Sequence, residues 1–410
     1  MRLRSVTTVA ASVLATSLVL SACGSRGDNS NSNSGSGGGS GEKTATIGVI
    51  APLSGDLSAL GLGIKNSVDL AIKQANQNKM IPGWTLKLDA KDDEAKPDTG
   101  ANAATALAGE ADVVGVVGTL NSSVAQNVQP ILSTAKIAQV SPANTNPALT
   151  KGAAFATAPK RTYPGYFRTC TTDDVQGPFA AQYLLEKGIK NVATIHDKKT
   201  YGQGLVDAFT KEFTAKGGKV VAATTINPDD ANYQTAITAV KGAGPQAVYY
   251  GGEFPQAGPL SNQMKSAGLA VPLMGGDGIF DPKYISLAGG AKANGDLSTS
   301  VGAPIEELAK GKEFQDAYKA AGYAEPPGAY GAYSYDAAQA IIEALKTSLA
   351  SAQDAQSARQ ATIDALGKVS LDGVSGNVAF DEYGDSKTRT LTVYTVKSGA
   401  WAPEKTGEVK

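Results

Sequence analysis

Two turns rich in glycine and hydroxyl residues, and two acids set among glycines, hold the chemistry available to this chain. The first turn, Gly118-Thr119-Leu120-Asn121-Ser122-Ser123, follows the β-branched run Val113–Val117 and opens a segment of helical period. Free backbone N–H groups and the positive end of a helix dipole there favour an anion. In the second, Ser141-Pro142-Ala143-Asn144-Thr145-Asn146-Pro147, two prolines restrict a hydroxyl-bearing loop whose amides form another set of donors. Farther on, Gly251-Gly252-Glu253-Phe254-Pro255 and Gly275-Gly276-Asp277-Gly278 let a carboxylate approach a ligand unhindered. Asp197-Lys198-Lys199-Thr200-Tyr201-Gly202 presents an aromatic at a helix entrance. Donors for an anion in one half and carboxylates in the other suit a zwitterion, and the α-amino acid is the commonest small one. Taken singly, Ser122 and Thr145 could be helix caps, Asp277 a turn residue, and Tyr201 and Tyr330 half-buried aromatics. Their joint placement at strand ends in both halves favours binding.

These turns need strands and helices to hold them. Strands are predicted at Thr46–Ile50, Leu86–Ala90, Val113–Val117, Ile137–Val140, Val192–His196, Val220–Thr225, Ala247–Tyr250 and Leu391–Val396. Between them, Ala-rich segments of helical period lie at Gly63–Asn76, Thr99–Ala108, Ser123–Thr134, Pro178–Lys187, Leu205–Lys216, Tyr233–Lys241, Ala257–Ala267 and Tyr335–Leu349. Strand and helix alternating this often predict an α/β fold: parallel sheets flanked by helices, with ligands bound beyond the carboxyl ends of the strands. At 410 residues, two lobes are expected.

Composition excludes several functions. Lys and Arg total 37 against 38 Asp and Glu, with no basic cluster beyond short pairs, which argues against nucleic acid. One histidine (His196) and two cysteines (Cys23, Cys170) cannot build a His/Cys zinc site of the usual type. No phosphate-binding GxxxxGK[ST], HExxH or GxSxG occurs, and no serine or cysteine elbow accompanies His196-Asp197. In FDEYGD the calcium-loop spacing is missing, so this segment reads as a hairpin turn. The expectation is a protein that is not an enzyme and needs no cofactor or metal.

The first residues read as an address. Arg2 and Arg4 precede an uncharged run too short to span a bilayer securely, ending in Leu20-Ser21-Ala22-Cys23. That ending resembles a bacterial lipobox, which predicts a signal peptide over residues 1–22, lipid on Cys23 and a Gly/Ser/Asn tether over 23–43. The mature protein would then be anchored outside the cytoplasm without crossing the membrane. Cys170 would have no disulfide partner and is expected as a small buried side chain.

From residue 45 to about 400, the chain resembles the leucine/isoleucine/valine-binding family of periplasmic binding proteins, type I fold. The resemblance runs in order through IGVIAPLSG, AKDDEAKP, VVGTLNSS, VSPANTNPALT, FRT, DVQGPFAAQYL, IHDKKTYGQGL, VYYGG, LMGGDG and FDEYGD. It implies a solute receptor for an ABC importer, with two lobes joined by three hinge crossings. The lobes would comprise 44–172 with 301–390, and 173–300 with 391–410. By the same resemblance, the family's carboxylate-binding serine falls on Ser122, its ligand-holding loop on Ala143 and Thr145, and its ammonium acceptor on Asp277, where better-known members carry glutamate. Its pocket tyrosines match Tyr201 and Tyr330. Two pocket tyrosines are replaced by Leu60 and Glu253, and the positions of the family disulfide hold Ala95 and Asn121. Glu253 would need a partner or a raised pKa if desolvated. The expected partners are a small amino-acid-like ligand, permease subunits and the membrane through its lipid, for a monomer that meets no nucleic acid. The alternatives are a receptor for amides, urea or polar amino acids, or a sensor for a membrane signalling protein.

Overall fold

The computed structural model describes residues 43–408. The predicted signal segment, the lipidation candidate Cys23 and nearly all of the tether lie outside them. Chain order gives β1 (Lys43–Ala51), α1 (Ser58–Gln77), β2 (Trp84–Asp92), α2 (Pro97–Gly109), β3 (Val113–Gly118), α3 (Ser122–Thr134), β4 (Ala138–Ser141), α4 (Ala148–Lys151) and β5 (Tyr166–Arg168). The five strands form one parallel sheet in the order β2-β1-β3-β4-β5. Its central strand β3, VVGVVG, is buried throughout, as a parallel strand covered by helices on both faces must be.

The chain then leaves this sheet. α5 (Asp173–Glu186), β6 (Asn191–His196), α6 (Thr200–Ala215), β7 (Lys219–Thr225), α7 (Gln234–Lys241), β8 (Ala247–Gly251), α8 (Phe254–Ser266), β9 (Leu273–Gly275), α9 (Pro282–Leu287) and β10 (Leu297–Ser300) build a second layered unit. The chain returns to the first sheet with α10 (Gly311–Ala320), which packs against α1, and with α11 (Gly331–Ser348) and α12 (Arg359–Leu366), which cover the strands, and adds a small hairpin, β11 (Ser370–Asp372) and β12 (Asn377–Ala379). Finally β13 (Thr390–Lys397) and β14 (Ala400–Glu408) join the second sheet, whose order is β14-β13-β10-β9-β8-β6-β7. Three crossings therefore link the two sheets: one after β5, one after β10 and one before β13.

The run β7-β6-β8-β9-β10 repeats the order of the first sheet, with antiparallel β13 and β14 appended. In such a sheet the strand order reverses beside the first strand, here between β1 and β3 and again between β6 and β8, and the loops there open a crevice. The turns after β3, β6 and β8 are those that carry Asn121-Ser122, Asp197-Lys199 and Glu253.

The predicted elements are all present, but α1, α5, α6 and α11 open earlier than expected, at Ser58, Asp173, Thr200 and Gly331. The helix expected to open at Pro178 begins at Asp173, because Asp173 and Asp174 occupy the first turn and suit the helix dipole. Pro178 sits inside it. α5 lies close against α6 because Gly177 faces it: a Cβ there would stand 2.6 Å from Phe209 N. FDEYGD forms the expected turn, with Phe380 bridged to Ser386 and Asp381 accepting from Tyr383 and Asp385 N–H groups. Cys170 is a free, buried thiol. Among the described residues, no helix is long and apolar enough to cross a membrane.

Candidate functional site

The two donor turns of the first sheet are stitched to each other. Ser141 Oγ donates to the Thr119 carbonyl at 2.9 Å and accepts the N–H groups of Ala143 and Asn144 at 3.2 and 2.9 Å. Asn144 Nδ2 donates to the Leu120 carbonyl at 2.8 Å, and Tyr166 OH to Asn144 Oδ1 at 3.0 Å. The loop is also held from below by the fully buried Arg168, which donates to the Asn144 and Asn146 carbonyls and to Thr150, and pairs with Asp385 at 2.8 Å. Ser122 thus opens α3 on a rigid support, where the first N–H groups of the helix have no partner within it.

On the other side, Asp277 follows β9 in a short helical turn and is 3% exposed. Its Oδ1 accepts from Gln176 Nε2 at 2.9 Å and Tyr201 OH at 2.7 Å, and its Oδ2 accepts from Tyr330 OH at 2.8 Å. Burial pushes its carboxyl pKa up, and the hydrogen bonds from Gln176, Tyr201 and Tyr330 work against that rise. Burial beside Asp277 also drives both tyrosines well above their ordinary value, so they act as O–H donors.

Glu253, at the N-cap of α8, has the partner its burial requires. Lys199 Nζ lies 2.8 Å from Oε2, and Asn121 Nδ2 donates to Oε1 across the cleft. Asp197 sits beneath this pair and accepts the Lys199 N–H at 2.9 Å. Burial, then the neighbouring Glu253, raises its pKa.

Leu60, Ser122, Ala143, Tyr201, Glu253, Asp277 and Tyr330 all line one cavity of ≈ 20 Å³ between the two sheets. Leu120, Asn121 and Gly278 complete its wall. Thr145 is not on it: its carbonyl accepts from Asp173 N–H at 2.8 Å, and its hydroxyl is buried toward the first crossing. His196 is also elsewhere, with Nδ1 accepting the Lys198 N–H at 3.0 Å in the turn after β6. The cavity has room for about one or two water molecules. The lobes are shut over it by Asn121–Glu253, by Tyr330–Asp277, and by Asn146 Nδ2 on the Thr200 carbonyl at 3.0 Å. Sequence reasoning missed Asn121 as a cleft residue, Lys199 as the partner of Glu253, and Gln176. Each depends on a contact between distant segments.

Two doubly wound lobes, three crossings and polar groups converging from both lobes on a shut cleft define a hinged solute-binding protein. The chain belongs to the periplasmic binding protein family, whose model matches residues 44–400. It is 33% identical over 356 residues to a Leu/Ile/Val-binding protein homolog of Brucella abortus, covering 86% of this chain and 91% of that one. An amino acid binding protein of Pseudomonas aeruginosa is 31% identical, with 85% of this chain and 89% of that one covered. Among solved structures, the branched-chain amino acid transporter substrate-binding protein LivJ of Streptococcus pneumoniae, in complex with isoleucine, superposes with a TM-score of 0.78. Their identity is 27%, and 90% of this chain and 99% of that one are covered.

Proposed function

We propose that this chain is the extracytoplasmic receptor of an ABC importer, binding an α-amino acid of the branched-chain type between its lobes and delivering it to the permease. The observation that carries the reading is that Ser122, at the start of α3, and Asp277 line the same cavity from opposite lobes. The ligand carboxylate would meet Ser122 and the N–H groups around it. Its ammonium would meet Asp277, with Tyr201 and Tyr330 alongside, and Leu60 and Leu120 would take an aliphatic side chain. The ≈ 20 Å³ cavity is far smaller than a leucine, so the lobes, taken as 44–172 with 301–390 and 173–300 with 391–410, part at the crossings to admit it. Closure strips water from the charges and strengthens their contacts, and the closed liganded form is the one that docks. Lipid on Cys23 would hold the receptor, a monomer, at the membrane by its tether. The names of the relatives support the branched-chain reading. Glu253 and Asn121 on the cavity wall favour a second one, in which the side chain is a polar amino acid or amide.

A thermal-shift panel on the domain from Thr44 onward tests this, after unfolding and refolding to strip carried-over ligand. A ligand at a hundred times its dissociation constant adds about 2.7 kcal/mol of stability. A response to Leu, Ile or Val supports the first reading, and one confined to polar amino acids or amides the second. Silence throughout defeats both and moves the weight to the sensor alternative or to a ligand outside the panel.

A further inference from the structure

Gln176 lies fully buried on α5, and its partners fix which way its amide points. Oε1 accepts from Asp277 N–H at 2.8 Å and from the Thr299 hydroxyl at 2.7 Å, so the NH2 end must face Asp277 Oδ1, 2.9 Å away. The same nitrogen lies 3.5 Å from Asp173 Oδ1. One side chain therefore grips both the backbone and the carboxylate of Asp277. Its neighbours mark the lobe boundaries: Asp173 is where the first crossing enters α5, and Thr299 is next to the last residue of β10, where the second crossing leaves.

A carboxylate offers about four lone-pair directions. Gln176 and Tyr201 fill both on Asp277 Oδ1, and Tyr330 fills one on Oδ2, which leaves a single acceptor direction on Oδ2. The ionisable groups around Asp277 are Asp173 of α5, Cys170 of the first crossing, Tyr201 of α6, Tyr249 of β8, and Tyr330 and Tyr333 at the start of α11. Glu253, paired with Lys199, shares the cavity wall, and Arg168 acts on Asp173. None of these pairs a cation directly with Asp277, so hydrogen bonds are what oppose the effect of burial on it.

We propose that Gln176 is a positioning residue for ligand binding: it locks the orientation of Asp277, leaves one Oδ2 direction for an ammonium, and ties that acceptor to two of the three crossings. This rests on Asp277 being the ammonium acceptor. Without Gln176, Oδ1 keeps only Tyr201, the carboxyl plane is free to turn, and protonation of Asp277 becomes easier. An ammonium ligand is then lost at a higher pH as acid is added.

The test is calorimetric titration with L-leucine and L-glutamine, in parallel, between about pH 4 and pH 8. Gln176→Leu is expected to bind about 10- to 100-fold more weakly at neutral pH, the size of one charge-assisted hydrogen bond, with its acid half-loss displaced to higher pH. A general loss of structure would weaken binding without moving that half-loss. Thr299→Val keeps shape, Gln176 and Asp277 but frees one side of the amide, and is expected to move both readouts the same way by a few-fold. It decides the matter if Gln176→Leu fails to fold. Wild-type affinity and pH profile in the folded variants, beside lost binding in Asp277→Asn, would overturn the role of Gln176. A wild-type protein silent to both amino acids, or an unimpaired Asp277→Asn, would instead overturn the ammonium reading and this inference with it.

Discussion

Tyr330 and Asp277 come from opposite lobes and meet at 2.8 Å, so the carboxylate proposed to receive the ligand ammonium is also a point where the cleft closes. Tyr330→Phe removes only the hydroxyl. We expect it to weaken amino-acid binding by about 1.5 to 3 kcal/mol, the range for a hydrogen bond to a charged group, measured by calorimetry. Unchanged affinity would mean that closure does not use this contact.

On the proposed assignment, Asp277→Ala would leave the buried ligand ammonium without its counter-charge. The expected loss is about 3–5 kcal/mol, read as a dissociation constant raised by more than a hundredfold. An undiminished affinity would sink the assignment of the site.

Asn121→Asp sets a carboxylate against Glu253 across the cleft, where an amide now donates. Lys199 can neutralise one acid and not two. The unliganded variant should be more open, with a larger radius of gyration by small-angle scattering, and equal radii would rule the contact out as a latch.

Asp385 links the third crossing to Arg168 and Lys151 at 2.8 and 2.9 Å. Burial works to raise its pKa, but the two cations outweigh it and hold the carboxyl below its ordinary value. The folded state then binds this proton less readily than the unfolded chain. The pair's contribution is present above the unfolded pKa and is lost as pH falls through the lower folded one. Asp385→Asn should cost about 3–5 kcal/mol at neutral pH, and the gap to wild type should narrow in acid denaturation below about pH 4.

Asp93 behaves in the opposite sense. Burial pushes its carboxyl up to about 7, and its Oδ1 accepts the Ala95 N–H at 2.8 Å. Between the ordinary carboxylate value and this one, the folded state holds the extra proton, so stability falls as pH rises. Asp93→Asn keeps the acceptor and cannot ionise. It should gain stability over wild type, by no more than about 4 kcal/mol, as pH rises from 4 to 7, and parallel unfolding curves would refute the shift.

The legible parts of the sequence were those whose chemistry is local. Val113–Val117 reads as a buried strand because both faces of a parallel sheet need apolar residues, and it was found within one residue of its bounds. β14, AWAPEKTGE, was not read, since an antiparallel edge strand half open to water has no such pattern. The four-residue β10 is too short to show a period. In the site, Ser122 and Asp277 announce themselves by standing at strand ends. Asn121, Gln176 and Lys199 do not, because Asn121 becomes informative only when Glu253 is brought across the cleft and Gln176 only when Asp277 is folded onto it. Thr145 shows the converse: a loop legible from its prolines still turned one hydroxyl toward the crossing instead of the cavity.

The burial of Cys170 has a practical bearing. It is the sole thiol between Thr44 and the C-terminus, lies at 0% exposure beside the Asn144 carbonyl, and burial drives its pKa far above the ordinary thiol value. Maleimide reagents, which need a thiolate nucleophile, should therefore leave it untouched. A domain begun at Thr44 can take one engineered surface cysteine on each lobe and be labelled with a fluorophore pair without first removing the native one, which makes the protein a ready chassis for an optical reporter of the ligand proposed for it.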